Sequence, residues 1–407
     1  MPAPAGDVVG QSALRIWGLP SEVRLRRQLA RAGAGIADGV AAQADATASP
    51  ASNARASSRI VLVRADWVYD EAIVRGLVRA PHDLALMAPD GQCVALVVPA
   101  ARRTEATPLL ETGRAPAGLP KLTPAQLTDG YNDTLRKREP PYLMALTAEA
   151  LPAIEARVFG GAYKGVTDLV TLYWWPRPAR AVTRVCANLG ITPNMVTTAS
   201  LVLVLAAMWA FWNGHYAIGL LAAWPMTFLD TVDGKLARVT LQSSPFGNVF
   251  DHSIDLIHPP FWWWAWVVGL TPAGLPLEHA SLVLTVIIAG YVLQRIEEGL
   301  FIACFKMDMH VWQRFDSRLR LITARRNPNL LILTAATLIG RPDWGIAAVA
   351  VWVASTGRSG TPSWSLRRCA AIRQQTRRRR VAGVGRWRSG GRQGLVRMLN
   401  HMIDSTT

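Results

Sequence analysis

Cysteine is scarce. Only Cys93, Cys186, Cys304 and Cys369 occur in 407 residues, and no two form a C-x-x-C pair. That excludes a zinc ribbon and a disulfide framework and leaves reduced, unpaired thiols. No basic n-region followed by an apolar core stands near Met1, where the chain reads P-A-P-A-G-D. No secretory signal peptide is expected, so the first apolar helix must act as its own insertion signal. Acids are also few, 28 Asp and Glu against 44 Lys and Arg, for a net charge of +16. Lysine is missing altogether after residue 357, where twelve arginines face one acid, Asp404, so about eleven of the net charges lie there. The stretch 358–407 contains no nucleic-acid-binding motif, and no nucleic-acid partner is expected. A solvated, disordered basic tail lying on anionic lipid is expected instead.

Hydrophobic residues make up 50% of the chain, and their long runs concentrate between about 196 and 356. The pattern divides the protein into a soluble front and an integral membrane portion. Six spans are expected, at about 195–213, 215–233, 248–270, 279–305, 328–341 and 343–357, some of them short for the ~20 residues a bilayer core requires. The loops alternate in charge. Lys235 and Arg238 lie in one, and Lys306, Arg314, Arg318, Arg320, Arg325 and Arg326 lie in the next on the same side. The opposite loops are nearly bare. By the positive-inside rule, the front portion and the basic loops face the cytoplasm of a multi-pass protein, in the inner membrane if the source is bacterial. The run Phe261, Trp262, Trp263, Trp264 and Trp266 then falls towards the far interface as an aromatic belt.

Residues 1–57 are rich in Ala, Gly and Ser and are expected to pack poorly, with a short helix at 22–32. From 58 to 160 the texture is that of a small α/β domain, with strands at 60–66, 83–89 and 93–99, a helix at 70–79 and a D-G-Q turn between the last two strands. Residues 161–194 read as a linker and an amphipathic helix. Arg177, Arg180 and Arg184 lie on one face of that helix, Val182, Val185 and Leu189 on another, and Trp174 and Trp175 at its start. A helix so built lies in a membrane interface.

The most informative stretch is 230–255, D-T-V-D-G-K-L-A-R-V-T-L-Q-S-S-P-F-G-N-V-F-D-H-S-I-D. Asp230 and Asp233 are three apart and Asp251 and Asp255 four apart, so on helices each pair shares a face. Both pairs sit at the edges of apolar segments, where ionisable groups are costly and point to function. Carboxylates with no Cys nearby suit hard cations such as Mg²⁺ or Mn²⁺, which clamp phosphates. Arg238 offers a planar fork to a phosphate. Arg318, Arg325 and Arg326 form a basic cluster near the same mouth that could dock a phosphorylated acceptor or meet lipid headgroups. A non-catalytic scaffold or a transporter with intramembrane acids is the alternative, although neither an internal repeat nor midplane acids are present.

The filled pattern D-x2-D-G-x2-A-R-x8-G-x3-D-x3-D resembles the signature of the CDP-alcohol phosphotransferase (CDP-alcohol phosphatidyltransferase) family, and I-T-P-N at 191–194 resembles the box that opens its first membrane helix. The resemblance implies a mostly α fold, a six-helix membrane bundle over 195–357. It implies metal-dependent transfer of a substituted phosphate from a CDP-alcohol to an acceptor alcohol with release of CMP, in phospholipid or inositol-phosphodiester synthesis. It also implies that Asp230, Asp233, Asp251 and Asp255 hold two Mg²⁺ or Mn²⁺ ions, that Asp255 is the general base, and that Gly234, Ala237, Arg238 and Gly247 line the CDP pocket. Homodimers formed through membrane helices are implied as well. The α/β domain resembles the nucleotidyltransferase half of family fusions, with Asp66 in the place of its metal-binding acid. The glycine-rich phosphate loop of such enzymes is missing from residues 1–35, so the domain reads as degenerate and Asp66 as a strand-end carboxylate.

Overall fold

The computed structural model describes residues 3–36, 59–128, 131–132, 137–138, 140–163, 168–305, 321 and 326–360. In the front domain the run Arg59–Arg64 (β5) is a strand whose apolar centre, Ile60 to Val63, is buried. Alternation sorts its side chains onto two faces. Val61 and Val63 join Leu25, Leu29, Ile73 and Leu77 from α1 (Ser21–Ala32) and α2 (Glu71–Arg79). Ile60 and Leu62 join Ala106 and Leu110 from α3 (Arg103–Glu111). The result is a sheet with helices on both faces.

The sheet runs β4-β1-β5-β8-β7-β9, with β1 at Ala5–Val9, β4 at Gly35–Ile36, β7 at Leu84–Met87, β8 at Cys93–Pro99 and β9 at Lys121–Leu122. β4, β1 and β5 are parallel, β8 is antiparallel to both neighbours, and β9 is parallel to β7. Asp70 caps α2 by accepting from the Ala72 N–H at 2.9 Å. Three small pairs complete the strands: β2 (Arg15–Ile16) with β3 (Leu19–Pro20), β6 (Trp67–Tyr69) with β12 (Leu143–Ala145), and β10 (Tyr131–Asn132) with β11 (Lys137–Arg138). The short α4 spans Pro124–Leu127.

The segment expected to be poorly packed is divided. Residues 37–58 lie outside the described residues, but 3–36 belong to the folded domain, with β1 inside the sheet and α1 on it. A-G-D-V-V is too short and too polar to announce a strand. It is one because its backbone pairs with β5 along five residues and with β4 at its other edge.

The junction holds α5 (Leu151–Gly161), α6 (Leu169–Tyr173) and α7 (Pro176–Asn188). Two of the three arginines on α7 contact the protein: Arg184 pairs with Glu155 and lies over Trp17, and Arg180 donates to the Pro152 carbonyl, while Arg177 is exposed. Val185 and Leu189 are exposed.

Among the described residues, six long helices follow: α8 (Pro193–Trp212), α9 (Tyr216–Val239), α10 (Pro245–Gly269), α11 (Ala280–Phe305), α12 (Arg326–Leu338) and α13 (Pro342–Gly360). Thr192 and Ser244 cap α8 and α10, each followed by proline at the first helical position. The backbones of α8 and α10 approach so closely that a Cβ at Gly269 would lie 1.8 Å from the Phe211 carbonyl oxygen. Among the described residues, two helices are long and apolar enough to cross a membrane, Pro193–Trp212 and Ala280–Ala303. α12, at 13 residues, covers only about 20 Å at 1.5 Å per residue.

The aromatic run is not a belt. Trp262, Trp263 and Trp266 are buried in the bundle core with Phe211, Tyr216 and Leu333, while Phe261 and Trp264 are exposed. Helical period turns residues 262 and 266 to one face, and their indole N–H groups donate to the carbonyls of Val204 (3.0 Å) and Pro342 (3.1 Å).

Of the cysteines, Cys93 and Cys186 are buried and free. The side chain of Cys304 and all of Cys369 lie outside the described residues, as does 361–407 of the arginine-rich tail. Burial pushes the Cys93 thiol up to about 11, so it is protonated at neutral pH. Iodoacetamide at pH 7 is expected to leave Cys93 unmodified in the native protein and to alkylate it in denaturant, as read by peptide mass spectrometry.

Candidate active site

The site forms where the C-terminal half of α9 and the N-terminal turns of α10 meet α8 and α12. Asp230 and Asp233 project from the C-terminal half of α9 and Asp251 from the second turn of α10. Each offers a carboxylate oxygen, and these oxygens lie within 4.8 Å of one another. Asp233 is 3% exposed. Its Oδ2 accepts from the Thr197 hydroxyl of α8 at 2.7 Å, while its Oδ1 is buried without a hydrogen-bond partner. An orphaned carboxylate oxygen inside a ring of three carboxylates fits a hard divalent cation. Asp230, Asp233 and Asp251 are therefore the residues that could hold one.

Asp255 occupies a different position. Its Oδ1 accepts from Arg326 Nη1 at 2.5 Å, and the other arm of the same guanidinium pairs with Asp230. Arg326 opens α12, and the next residue helps to place that helix: Asn327 Nδ2 donates to Asp168 Oδ1 at 3.0 Å. Asp168 in turn caps α6 through the Thr171 N–H. Arg326 thus sits at the site as the counter-ion of two aspartates. Its expected companions Arg318 and Arg325 lie outside the described residues.

The remaining motif positions frame the cluster. Gly234 leaves room for its own helix's Arg238, whose Nη2 lies 3.1 Å from where a Cβ would stand. Arg238 Nε is buried without a partner. Gly247 abuts Asn194 of the I-T-P-N box, whose Oδ1 is 2.5 Å from the place of a Cβ. The small Ala237 lies beside Arg238 on α9. Thr197, which the motif does not mark, was signalled only by its place one turn beyond that box. Asp66 lies elsewhere: Arg64 holds its carboxylate through Nε (2.9 Å) and Nη2 (2.6 Å).

The family model for CDP-alcohol phosphatidyltransferases matches residues 190–303, which include all four aspartates. Over 79 residues the chain is 34% identical to an archaetidylinositol phosphate synthase of Pyrococcus horikoshii, covering 19% of this chain and 42% of that protein. It is 30% identical over 125 residues to an uncharacterized class-I protein of the same family from Schizosaccharomyces pombe, covering 28% and 30%. It is 39% identical over 80 residues to a choline/ethanolaminephosphotransferase of Arabidopsis thaliana, covering 16% and 20%. The chain thus spans less than half the length of each.

Thr197→Val keeps the side-chain shape but strips Asp233 of a hydrogen bond. It is expected to leave helicity unchanged by circular dichroism and to weaken Mn²⁺ binding, followed by electron paramagnetic resonance, by about tenfold or more, the usual cost of losing a partner of a metal ligand.

Proposed function

The chain belongs to the CDP-alcohol phosphatidyltransferase family through residues 190–303, and from that premise we propose that it transfers a substituted phosphate from a CDP-alcohol to an acceptor alcohol. The observation that carries this reading is the three-carboxylate cluster with its orphaned Asp233 oxygen, placed beside Arg238 and the two glycines. Asp230, Asp233 and Asp251 would hold Mg²⁺ or Mn²⁺, with Asp255 completing a two-metal site. Such ions supply charge neutralisation to the diphosphate and the leaving group.

The chain's own residues do the rest. Gly234 and Gly247 keep the pocket walls low, Ala237 adds little bulk, and Arg238 meets a phosphate of the CDP moiety. Asp255 takes the proton of the acceptor hydroxyl. The hydroxyl oxygen then forms its bond to the phosphorus that carries the donor alcohol, and the bond from that phosphorus to the CMP oxygen breaks, its electron pair leaving with CMP. Arg326, salt-bridged to Asp255, keeps that carboxylate oriented until the hydroxyl arrives. A guanidinium has five donors and the aspartate bridge engages two of its arms, so others remain for an acceptor phosphate such as an inositol or glycerol phosphate. Arg318 and Arg325 are proposed to join it.

The same reading places the protein in the membrane as a multi-pass chain with the site facing the cytoplasm, as the basic loops require. Apolar side chains exposed on successive helices, among them Val202, Leu205, Leu221, Leu256 and Leu293, suit contact with lipid. A homodimer through these helices completes the proposal. The front domain is proposed to be a degenerate nucleotidyltransferase-like unit. A lipid donor and a soluble one such as CDP-inositol are the two donor classes to compare.

The test is CMP release by the purified protein with Mg²⁺ or Mn²⁺, offering CDP-diacylglycerol or CDP-inositol to a panel of alcohols and alcohol phosphates. Release with one donor–acceptor pair is expected, with none in the presence of a chelator. Asp255→Asn is expected to bind CDP as the wild type does and to lose turnover by roughly 10²–10⁴-fold. A fully active Asp255→Asn would remove that residue from the role of base.

A further inference from the structure

The C-terminal third of α9 is held by the front domain. Three arginines spaced along one face of α1 reach its end. Arg24 Nη1 donates to the Val239 carbonyl at 2.6 Å, Arg27 Nη1 to the Thr240 carbonyl at 2.8 Å, and Arg31 Nη2 to the Ser243 hydroxyl at 2.5 Å. The Arg24 side chain belongs to a residue only 3% exposed. The last carbonyls of a helix have no partner within it and carry partial negative charge, so cationic donors there satisfy and anchor the helix end. These arginines cap from another domain, more than 200 residues away in sequence.

A second set of contacts fixes the rotation of the same segment. Val232, Leu236 and Val239, one face of α9, are fully buried against Ile16, Trp17, Val158 and Phe159 of the front domain and α5. Lys235 Nζ donates to the Ala162 carbonyl at 3.2 Å and stands over the Tyr163 ring. Trp17 is held for this purpose in a left-handed backbone conformation, φ 51°, that a bulky residue adopts only under constraint. Its N–H donates to Glu155 Oε1 at 3.1 Å and its indole N–H to the Glu155 carbonyl at 3.2 Å. The neighbouring Gly18 lies so close to α7 that a Cβ there would be 2.6 Å from the Ala187 carbonyl oxygen. The loop after β1 and the helix after it are thus spent on docking.

Asp233, Gly234 and Arg238 sit within this clamped segment and Asp230 two residues before Val232, all within about three turns of the capped carbonyls. We propose that the α/β domain is a brace. Through Arg24 and Arg27 as positioning residues, it fixes the axial position and rotation of α9 and so sets the distances from Asp230 and Asp233 to Asp251. The brace itself rests on contacts independent of the proposed chemistry; its effect on metal affinity rests on the reading of the three aspartates given above.

The experiment compares wild type, Arg24→Met/Arg27→Met and a control, Leu110→Ala, in the full-length protein. Leu110 is buried in α3, in the core on the opposite face of the sheet from α1, so its truncation destabilises the domain without touching α1 or α9. Hydrogen–deuterium exchange of peptides covering 226–243 needs no metal. The brace requires faster exchange through 230–240 in the arginine variant and not in Leu110→Ala. Mn²⁺ affinity, read by electron paramagnetic resonance, should fall about tenfold in the arginine variant and stay within twofold of wild type in the control. Exchange unchanged in 230–240, or changed equally in both variants, overturns the brace. Accelerated exchange with unchanged Mn²⁺ affinity overturns the claim that it positions the aspartates. Absence of Mn²⁺ binding in the wild type defeats the metal reading instead, and the exchange data then decide the brace alone. Should the double variant fail to fold, Arg27→Met alone, at the partly exposed end of the clamp, is measured in the same way.

Discussion

Carboxylates gathered at the edge of an apolar bundle need positive charge close by, because desolvated like charges repel strongly. In this protein one guanidinium meets much of that need by direct ion pairs, Arg326 reaching both Asp230 and Asp255. Much of the architecture follows from placing it. α12 returns to pack beside α9, Asn327 ties its first turn to Asp168, and Asp168 holds the start of α6. The arrangement gathers Asp230, Asp233 and Asp251 into one cluster, and Arg326 links its edge at Asp230 to Asp255 outside it. That sorting gives chemically different roles to residues that look alike along the chain.

α9 is shared between two packing environments. Its earlier turns pack through Ala223 and Met226 into the tryptophan-rich bundle core, whereas Val232, Leu236 and Val239 pack into the cluster built by the front domain. A helix gripped at both ends can present its side chains with little freedom. The front domain therefore contributes to the site while supplying none of the motif side chains. The loop after β1, which lacks the glycines of a phosphate cradle, has become a docking wedge around Trp17.

Several elements were legible in the chain alone. The capped, proline-led starts of α8 and α10 and the strand-and-helix pattern from β5 to β8 follow from local chemistry. The D-x2-D-G-x2-A-R-x8-G-x3-D-x3-D spacing marks the ligand candidates because three- and four-residue intervals on a helix fix a shared face whatever the surroundings. Tertiary structure decided what local chemistry could not. β1 is a strand because two neighbours pair with it, and Trp262 and Trp266 are core because α8 and α13 cover them. Thr197 becomes a partner of Asp233 because α8 crosses α9 at that height. The pairing of Arg326 with Asp230 and Asp255 spans 96 and 71 residues, and the capping of α9 by Arg24 spans 215. Sequence spacing determines which side chains share an element's face; which charges meet across such separations depends on how the elements pack.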